Sequence, residues 1–459
     1  MKRILFIILL TSVLASCSVY KKFSAPEPEV ENLYRNTTKA EGIVSADAAN
    51  FLGILKWREL FSDSQLQALI EQGLAQNANL NIALSRIEQA EASLSAARLA
   101  YLPGLGFSSI NGAIANYNDN TTKTYAFPFS ASWQVPLFGG LRNSKLKAKA
   151  TLEQTRASKR AVQSQLIASI ANTYYSLVKI DKQLAIMEQT IKLWGETLET
   201  MRSMKEIGMT NEAAISQSEA NYRSVLLSKL SLQQASREIE NALCVILGQA
   251  PQHINRSSVD DLNLPDQYSV GVPLQMTANR PDVQMAEQNL AAAYYATNVA
   301  RSAFYPNIVI SGGLSWTNNV SSYIINPGKI LSSIAGAATV PIFNRGANRA
   351  NLKISKEAQK QALVAFNQTL VSAGSEVSNA LFQYKISMKK QVERDEQIKS
   401  LEYSEKYTRE LFRLSSSTYL EVLTAQQNLL SAQISETEDT YDKITSVIEL
   451  YQALGGGSE

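Results

Sequence analysis

From Tyr125 to Val135 the chain alternates, with Tyr125, Phe127, Phe129, Ala131, Trp133 and Val135 set against Ala126, Pro128, Ser130, Ser132 and Gln134. A period of two, with one largely aromatic side and one small or polar side, predicts a β-strand whose faces meet different surroundings. Ile308, Ile310, Gly312, Leu314 and Trp316 repeat the alternation against Val309, Ser311, Gly313, Ser315 and Thr317. Leu105–Tyr117 reads as the hairpin partner of the first strand across the polar Asn118–Lys123, and Ile330–Val340 as a fourth strand. Elsewhere the period is helical. Leu80–Ala100 and Pro281–Ala303 are rich in strong helix formers and end at a proline. Val162, Leu166, Ile170, Tyr174 and Leu177, then Leu184 and Ile191, fall on one helical face. No proline interrupts Leu137–Ala250 or Ile342–Glu459. Arg142–Ile207 alone predicts a helix of about 100 Å at roughly 1.5 Å per residue, too long for any globular domain. Gly208 turns that helix back toward Leu247, and Ser415-Ser416-Ser417 marks the equivalent bend later on.

The pattern occurs twice. Ala97-Arg98-Leu99-Ala100-Tyr101-Leu102-Pro103 returns as Ala300-Arg301-Ser302-Ala303-Phe304-Tyr305-Pro306, Val135-Pro136-Leu137-Phe138 as Val340-Pro341-Ile342-Phe343, and Leu247-Gly248 as Leu454-Gly455. Order is kept and the spacing drifts only from 203 to 207 residues, which predicts two homologous halves. The expected organisation is a signal peptide over 1–16, an N-terminal tether and first equatorial elements over 17–79, and a first repeat over 80–250. An inter-repeat linker over 251–280, a second repeat over 281–455 and a tail over 456–459 follow.

The leader changes the picture. Lys2 and Arg3 precede an apolar run from Ile4 to Leu10, too short to span a bilayer, and Leu14-Ala15-Ser16-Cys17 has the form of a bacterial lipobox. Cys17 is therefore the expected lipidation site and the first residue of the mature chain. One acyl-bearing residue holds a protein only moderately, so a second membrane-binding element is expected. With Cys17 modified, Cys244 remains as a thiol inside an apolar stretch, where a buried structural role is expected.

Composition then removes whole classes of function. Lys and Arg number 44 against 41 Asp and Glu, a net charge of +3, and no stretch is read as gathering Lys and Arg onto one stripe, which argues against a nucleic-acid partner. One histidine, His253, and two cysteines leave no material for a histidine-based or four-cysteine metal site. His253 sits in a linker without a triad setting and is assigned no role, so no enzyme, cofactor or metal is expected.

Strands near ten residues with one aromatic face, in a lipid-anchored chain, favour an outer-membrane β-barrel over a soluble sandwich. Four strands cannot close one, because about eight are needed and an open edge in lipid leaves backbone groups unpaired. The barrel is expected to be shared between chains, and the strand pattern leaves open whether two or three. Long helices continuing such a barrel form a tube, and a tube points to transport. The alternative is a non-conducting, lipid-anchored coiled-coil scaffold of the envelope.

Taken together, the lipobox, Arg280-Pro281-Asp282-Val283, the two Ala-Arg…Pro segments, Pro136-Leu137-Phe138-Gly139-Gly140, Tyr419-Leu420-Glu421-Val422-Leu423 and Tyr451-Gln452-Ala453-Leu454-Gly455-Gly456-Gly457 resemble the TolC-like outer-membrane efflux family, in its lipoprotein branch. The resemblance covers nearly the whole mature chain. It implies an α+β membrane protein, internally duplicated, whose long α-helical barrel continues a transmembrane β-barrel with four strands per chain, completed as a trimer. It further implies a passive exit duct in the outer membrane, served by a periplasmic adaptor (membrane fusion) protein and an inner-membrane efflux pump. In the family the tips near the second bend pinch the tunnel shut. Here that places Leu420 at an apolar constricting position, with Glu421 and Thr424 where relatives often carry aspartate; Thr424, the missing bend glycine and Ala214 on the first tip depart from the family pattern.

Overall fold

The computed structural model describes residues 20–26, 52–53, 55–107, 111–117, 120–257, 279–318, 330–342, 344–414 and 416–458. Its elements run in the order α1 (Trp57–Leu60), α2 (Ser64–Gln76), α3 (Ala78–Leu99), β1 (Gly104–Phe107), β2 (Asn111–Tyr117), β3 (Asn120–Gln134), α4 (Gly140–Glu206) and α5 (Glu212–Leu247). The second series is α6 (Pro281–Ser302), β4 (Asn307–Asn318), β5 (Ile330–Thr339), α7 (Ala347–Arg413) and α8 (Tyr419–Ala453). Both long helices have 67 residues, and the helices that follow them have 36 and 35. The expected helix ends agree to within about two residues. At the first turn Gly208 takes φ 78°, a left-handed conformation that glycine adopts without steric penalty.

The chain divides into two compact units that cut across the sequence repeat, each taking residues from both halves. One unit comprises Met1–Glu29, Ser85–Ala157 and Gln284–Thr369, and contains the sheet. The sheet is antiparallel in the order β1-β3-β4-β5, with β2 also on β3. β1 and β2 are two stretches of one expected strand: Phe107 pairs with Phe129, but Asn111 pairs with Ala126, a register shift of one residue. The shift falls at Pro128, which has no N–H to give the ladder.

Register confirms the two-faced reading. Leu105 lies opposite Ala131 and Phe107 opposite Phe129; across β4, Phe129 meets Leu314 and Trp133 meets Ile310, while Ile334 of β5 meets Gly312. These residues share one face, and Leu105, Phe107, Phe129, Leu314 and Ile334 are exposed on it. Gly104, Gly106, Ser130, Ser132, Ser311 and Ser333 share the other. Such an apolar face is built for lipid, and a charge on it should be penalised. Leu105→Lys, close to the helical end of the sheet, is expected to cost about 1 kcal/mol of insertion free energy while Gly106→Ser costs almost nothing, measured by urea titration of refolding into lipid vesicles.

The other unit comprises Val30–Leu84, Ser158–Val283 and Leu370–Glu459. Its core joins α1, α2, α4, α5, α7 and α8 around Leu60, Leu66, Ile70, Ile170, Tyr174, Leu243 and Val447. The expected stripe of α4 holds at Leu166, Ile170, Tyr174 and Leu177, all buried. Beyond Asp181 it does not: Leu184 and Ile191 are only half-buried, and burial passes to Gln183, Met187, Thr190 and Trp194. Partners change along the helix, since Met187 and Trp194 pack with Val225, Leu430 and Ile434 rather than with the main core. Cys244 is buried, as expected.

Two expectations need correcting. Lys and Arg do gather onto stripes: α7 carries Arg349, Lys353, Lys356 and Lys360 at i, i+4, i+7 and i+11, and α4 carries Arg142, Lys145, Lys149, Arg156 and Arg160 within one face. The small net charge hides this because the sheet-bearing unit holds 19 Lys and Arg against 8 Asp and Glu, and the other unit compensates. His253, expected to stand alone, has Nδ1 2.8 Å from Oε1 of the buried Glu240, a carboxylate shared with Arg256 at 2.6 Å. Burial pushes the Glu240 pKa up, but the Arg256 hydrogen bond and charge outweigh it and hold the carboxyl below its usual range. Residues 258–278 of the expected linker lie outside the described residues.

Candidate functional site

The second bend builds its helix start from side chains. Thr418 and Glu421 form a capping box at the head of α8, and the Thr418 N–H donates to Glu421 Oε2 at 2.9 Å. The Ser417 hydroxyl donates to the same carboxylate oxygen. These donors hold the exposed Glu421 carboxyl below its ordinary pKa, so it is ionised at neutral pH. The bend that often carries glycine in the resembled family is here closed by Ser417, Thr418 and Glu421. Ser415 lies outside the described residues.

Leu420, Glu421 and Thr424 occupy one face of the first turns of α8, at spacings of three and four residues. Leu420 is 67% exposed, and Thr424 is exposed with its hydroxyl donating to the Leu420 carbonyl at 2.8 Å. Val422 and Leu423 face the opposite way and are buried. Val422 joins Leu198, Met201, Ile215 and Phe412 in a cluster fed by α4, α5, α7 and α8, against which Ala214 and Tyr419 pack. Burial pushes the Tyr419 pKa up, against the lowering effect of the Ser218 and Asn221 side chains of α5. Sequence reading missed this underside: Tyr419, Val422 and Ala214 were quoted only as family positions, and the cluster is assembled from residues far apart in the chain.

At the sheet, β1 and β5 each pair on one side only among the described residues. Tyr20–Pro26 belongs to the same unit, with Phe23 packed on Tyr294 and Tyr295 at 5.7 and 6.3 Å and the Lys21 carbonyl accepting from the Tyr294 hydroxyl at 2.8 Å. Cys17 and residues 27–50 of the expected tether lie outside the described part. Among the described residues no group of three or more His, Cys, Asp or Glu could hold a metal, and no helix is long and apolar enough to cross a membrane.

The outer membrane efflux protein family matches residues 69–249 and again 272–456. The chain belongs to this family. It is an outer-membrane efflux channel, not an enzyme. It is similar to the cation efflux system protein CusC of Escherichia coli (strain K12), 29% identical over 456 residues that cover 97% of each chain. It is also similar to the antibiotic efflux pump outer membrane protein ArpC of Pseudomonas putida, 27% identical over 99% of this chain and 96% of that one. Among solved structures, the outer-membrane channel OprN superposes with a TM-score of 0.89 at 22% identity, covering 96% of this chain and 100% of OprN. A structure of CusC gives 0.83 at 26% identity, with 96% and 100% covered. The four-stranded sheet joined to long helices is the fold of these channels.

Proposed function

We propose that three copies of this family member close a twelve-stranded barrel and a continuous helical tunnel that passes small molecules from a periplasmic adaptor and an inner-membrane pump to the exterior. The observation that carries the assembly is the pair of one-sided sheet edges, β1 and β5, flanking a sheet with a lipid-type face. Two copies would give eight strands with a filled interior; three give room for a water-filled lumen. Cys17 carries the lipid, and Tyr20, three residues on, reaches the sheet-bearing unit at the Gly139 turn. The leader is 1–16, and 80–250 and 281–455 descend from one duplicated unit, which the matching helix lengths support. The names of relatives support cations and antibiotics alike as candidate cargo, with the pump and adaptor making the choice.

In this reading Leu420 forms an apolar constriction at the tunnel end and Glu421 an acidic ring beside it, with Thr424 a turn further in. Three ionised carboxylates around a narrow axis attract cations and oppose collapse; three leucines exclude water. Full-length protein in planar bilayers is expected to conduct, and Leu420→Ala is expected to raise the mean conductance roughly severalfold, with Glu421→Gln lowering cation preference. Conductance unchanged by both substitutions would remove these residues from the gate; no conductance at all would favour the envelope scaffold.

A further inference from the structure

The charge of the sheet-bearing unit is concentrated, and part of it sits where the sheet meets the helices. That unit still holds 17 Lys and Arg against 8 Asp and Glu once the leader's Lys2 and Arg3 are set aside. α4 begins at Gly140, six residues after β3 ends, and Arg142, Lys145 and Lys149 follow at i, i+3 and i+7, all exposed on one face. Among the described residues no carboxylate lies within ion-pair distance of any of the three, whereas Arg156, further along the same face, is taken by Glu91 and Glu153.

The aromatic neighbours show which side of the sheet this face belongs to. Lys145 Nζ stands 5.8 Å from the centre of the Tyr101 ring. The Tyr101 carbonyl accepts from Trp133 Nε1 at 2.9 Å, and Trp133 lies on the apolar sheet face with Phe129 and Ile310. Burial pushes the Tyr101 and Tyr295 hydroxyls up, and the Arg142 charge opposes it at both. Tyr295 in turn packs on Phe23 of the N-terminal segment, whose Lys21 and Lys22 are exposed and follow Cys17 by four and five residues. Arg301 acts in the same way on Tyr20. Basic side chains and aromatic rings therefore meet on the lipid side of the junction, the arrangement expected where a barrel leaves the hydrocarbon layer.

We propose that Arg142, Lys145 and Lys149, flanked by Lys21, Lys22 and Arg301, form a cationic collar that takes the phosphate headgroups of anionic phospholipids in the periplasmic leaflet. From Arg142 to Lys149 the rise is about 10 Å at roughly 1.5 Å per residue. That span is comparable to a headgroup layer of roughly 5–8 Å plus a screening length of about 8 Å, so all three charges act on the leaflet surface. The collar rests on the reading of the apolar sheet face as lipid-facing.

The test uses full-length protein in nanodiscs of phosphatidylethanolamine containing about one-fifth phosphatidylglycerol, re-extracted in mild detergent, with retained lipids counted by native mass spectrometry. Wild-type protein is expected to retain phosphatidylglycerol enriched about threefold over the bulk, and added salt to reduce the enrichment. The triple variant Arg142→Gln, Lys145→Gln, Lys149→Gln is expected to fall to the bulk ratio, while the charge-matched Lys192→Gln, Lys389→Gln, Lys406→Gln stays enriched. Enrichment retained by the first variant, lost equally in the second, or displaced by millimolar inorganic phosphate overturns the collar. Wild-type protein that enters nanodiscs without preference overturns the collar alone; wild-type protein that does not enter them overturns the lipid-facing sheet as well.

Discussion

Arg280→Ala is expected to lower the unfolding free energy of the detergent-solubilised protein by about 3 kcal/mol. The Arg280 side chain is 6% exposed and makes four hydrogen bonds: Nε and Nη2 donate to the Asp282 carboxylate at 3.0 and 2.7 Å, Nη2 to Glu376 at 2.6 Å and Nη1 to the Ala453 carbonyl at 2.7 Å. Removing one partner of a fully buried ion pair costs about 3–5 kcal/mol. Asp282 and Glu376 keep solvent contact, which places the ionic loss at or below the low end; the orphaned Ala453 carbonyl adds about 1 kcal/mol. Arg280→Lys keeps the charge but not the fork, and is expected to recover less than half. Urea titration followed by ellipticity at 222 nm measures both, and a loss below about 0.5 kcal/mol for the alanine variant would contradict the account.

Gly456→Ala should be nearly as damaging, though it adds one methyl. A Cβ there would stand 2.3 Å from Tyr451 Cε2 and 2.5 Å from Cδ2 and Cζ. The ring has nowhere to go: Tyr451 is 2% exposed, its hydroxyl donates to the Leu55 carbonyl at 2.9 Å, and Phe61 packs edge-on at 6.5 Å. Overpacking of this kind costs about 1–3 kcal/mol, and contact with a tethered aromatic puts it at the upper limit. Gly208→Ala is the informative comparison. Its backbone is left-handed but nothing lies within 4 Å of an added Cβ, so only the conformational cost of about 1 kcal/mol is expected. The same urea titration ranks the two, and Tyr451→Leu combined with Gly456→Ala should be less destabilised than the sum of the single changes.

What the sequence made legible was local or repeated. Alternation around Trp133 and Ile310 fixed two strands and both faces, and prolines with Gly208 set the helix ends, because each of these acts within a few residues of itself. The family was visible in several short motifs spread along the chain. What escaped depended on partners brought together by folding. The burial stripe of α4 changed phase beyond Asp181 once Val225, Leu430 and Ile434 replaced the main core. His253 acquired Glu240, a carboxylate it shares with Arg256, through folding. The basic stripes were hidden by a net charge that sums two oppositely charged units. At the tip, Leu420 and Glu421 were read as gate positions by resemblance, but the tie from Glu421 to Ser417 and Thr418, and the cluster beneath Val422, became apparent only when α4, α5, α7 and α8 were seen together.

The one-sided pairing of β1 and β5 has a consequence for biogenesis. A newly exported copy crosses the periplasm with raw strand margins at both flanks and an oily surface between them, so it is a template for clumping until siblings arrive. In the proposed assembly the yield of working ducts then depends on how soon copies meet as much as on the stability of any finished one.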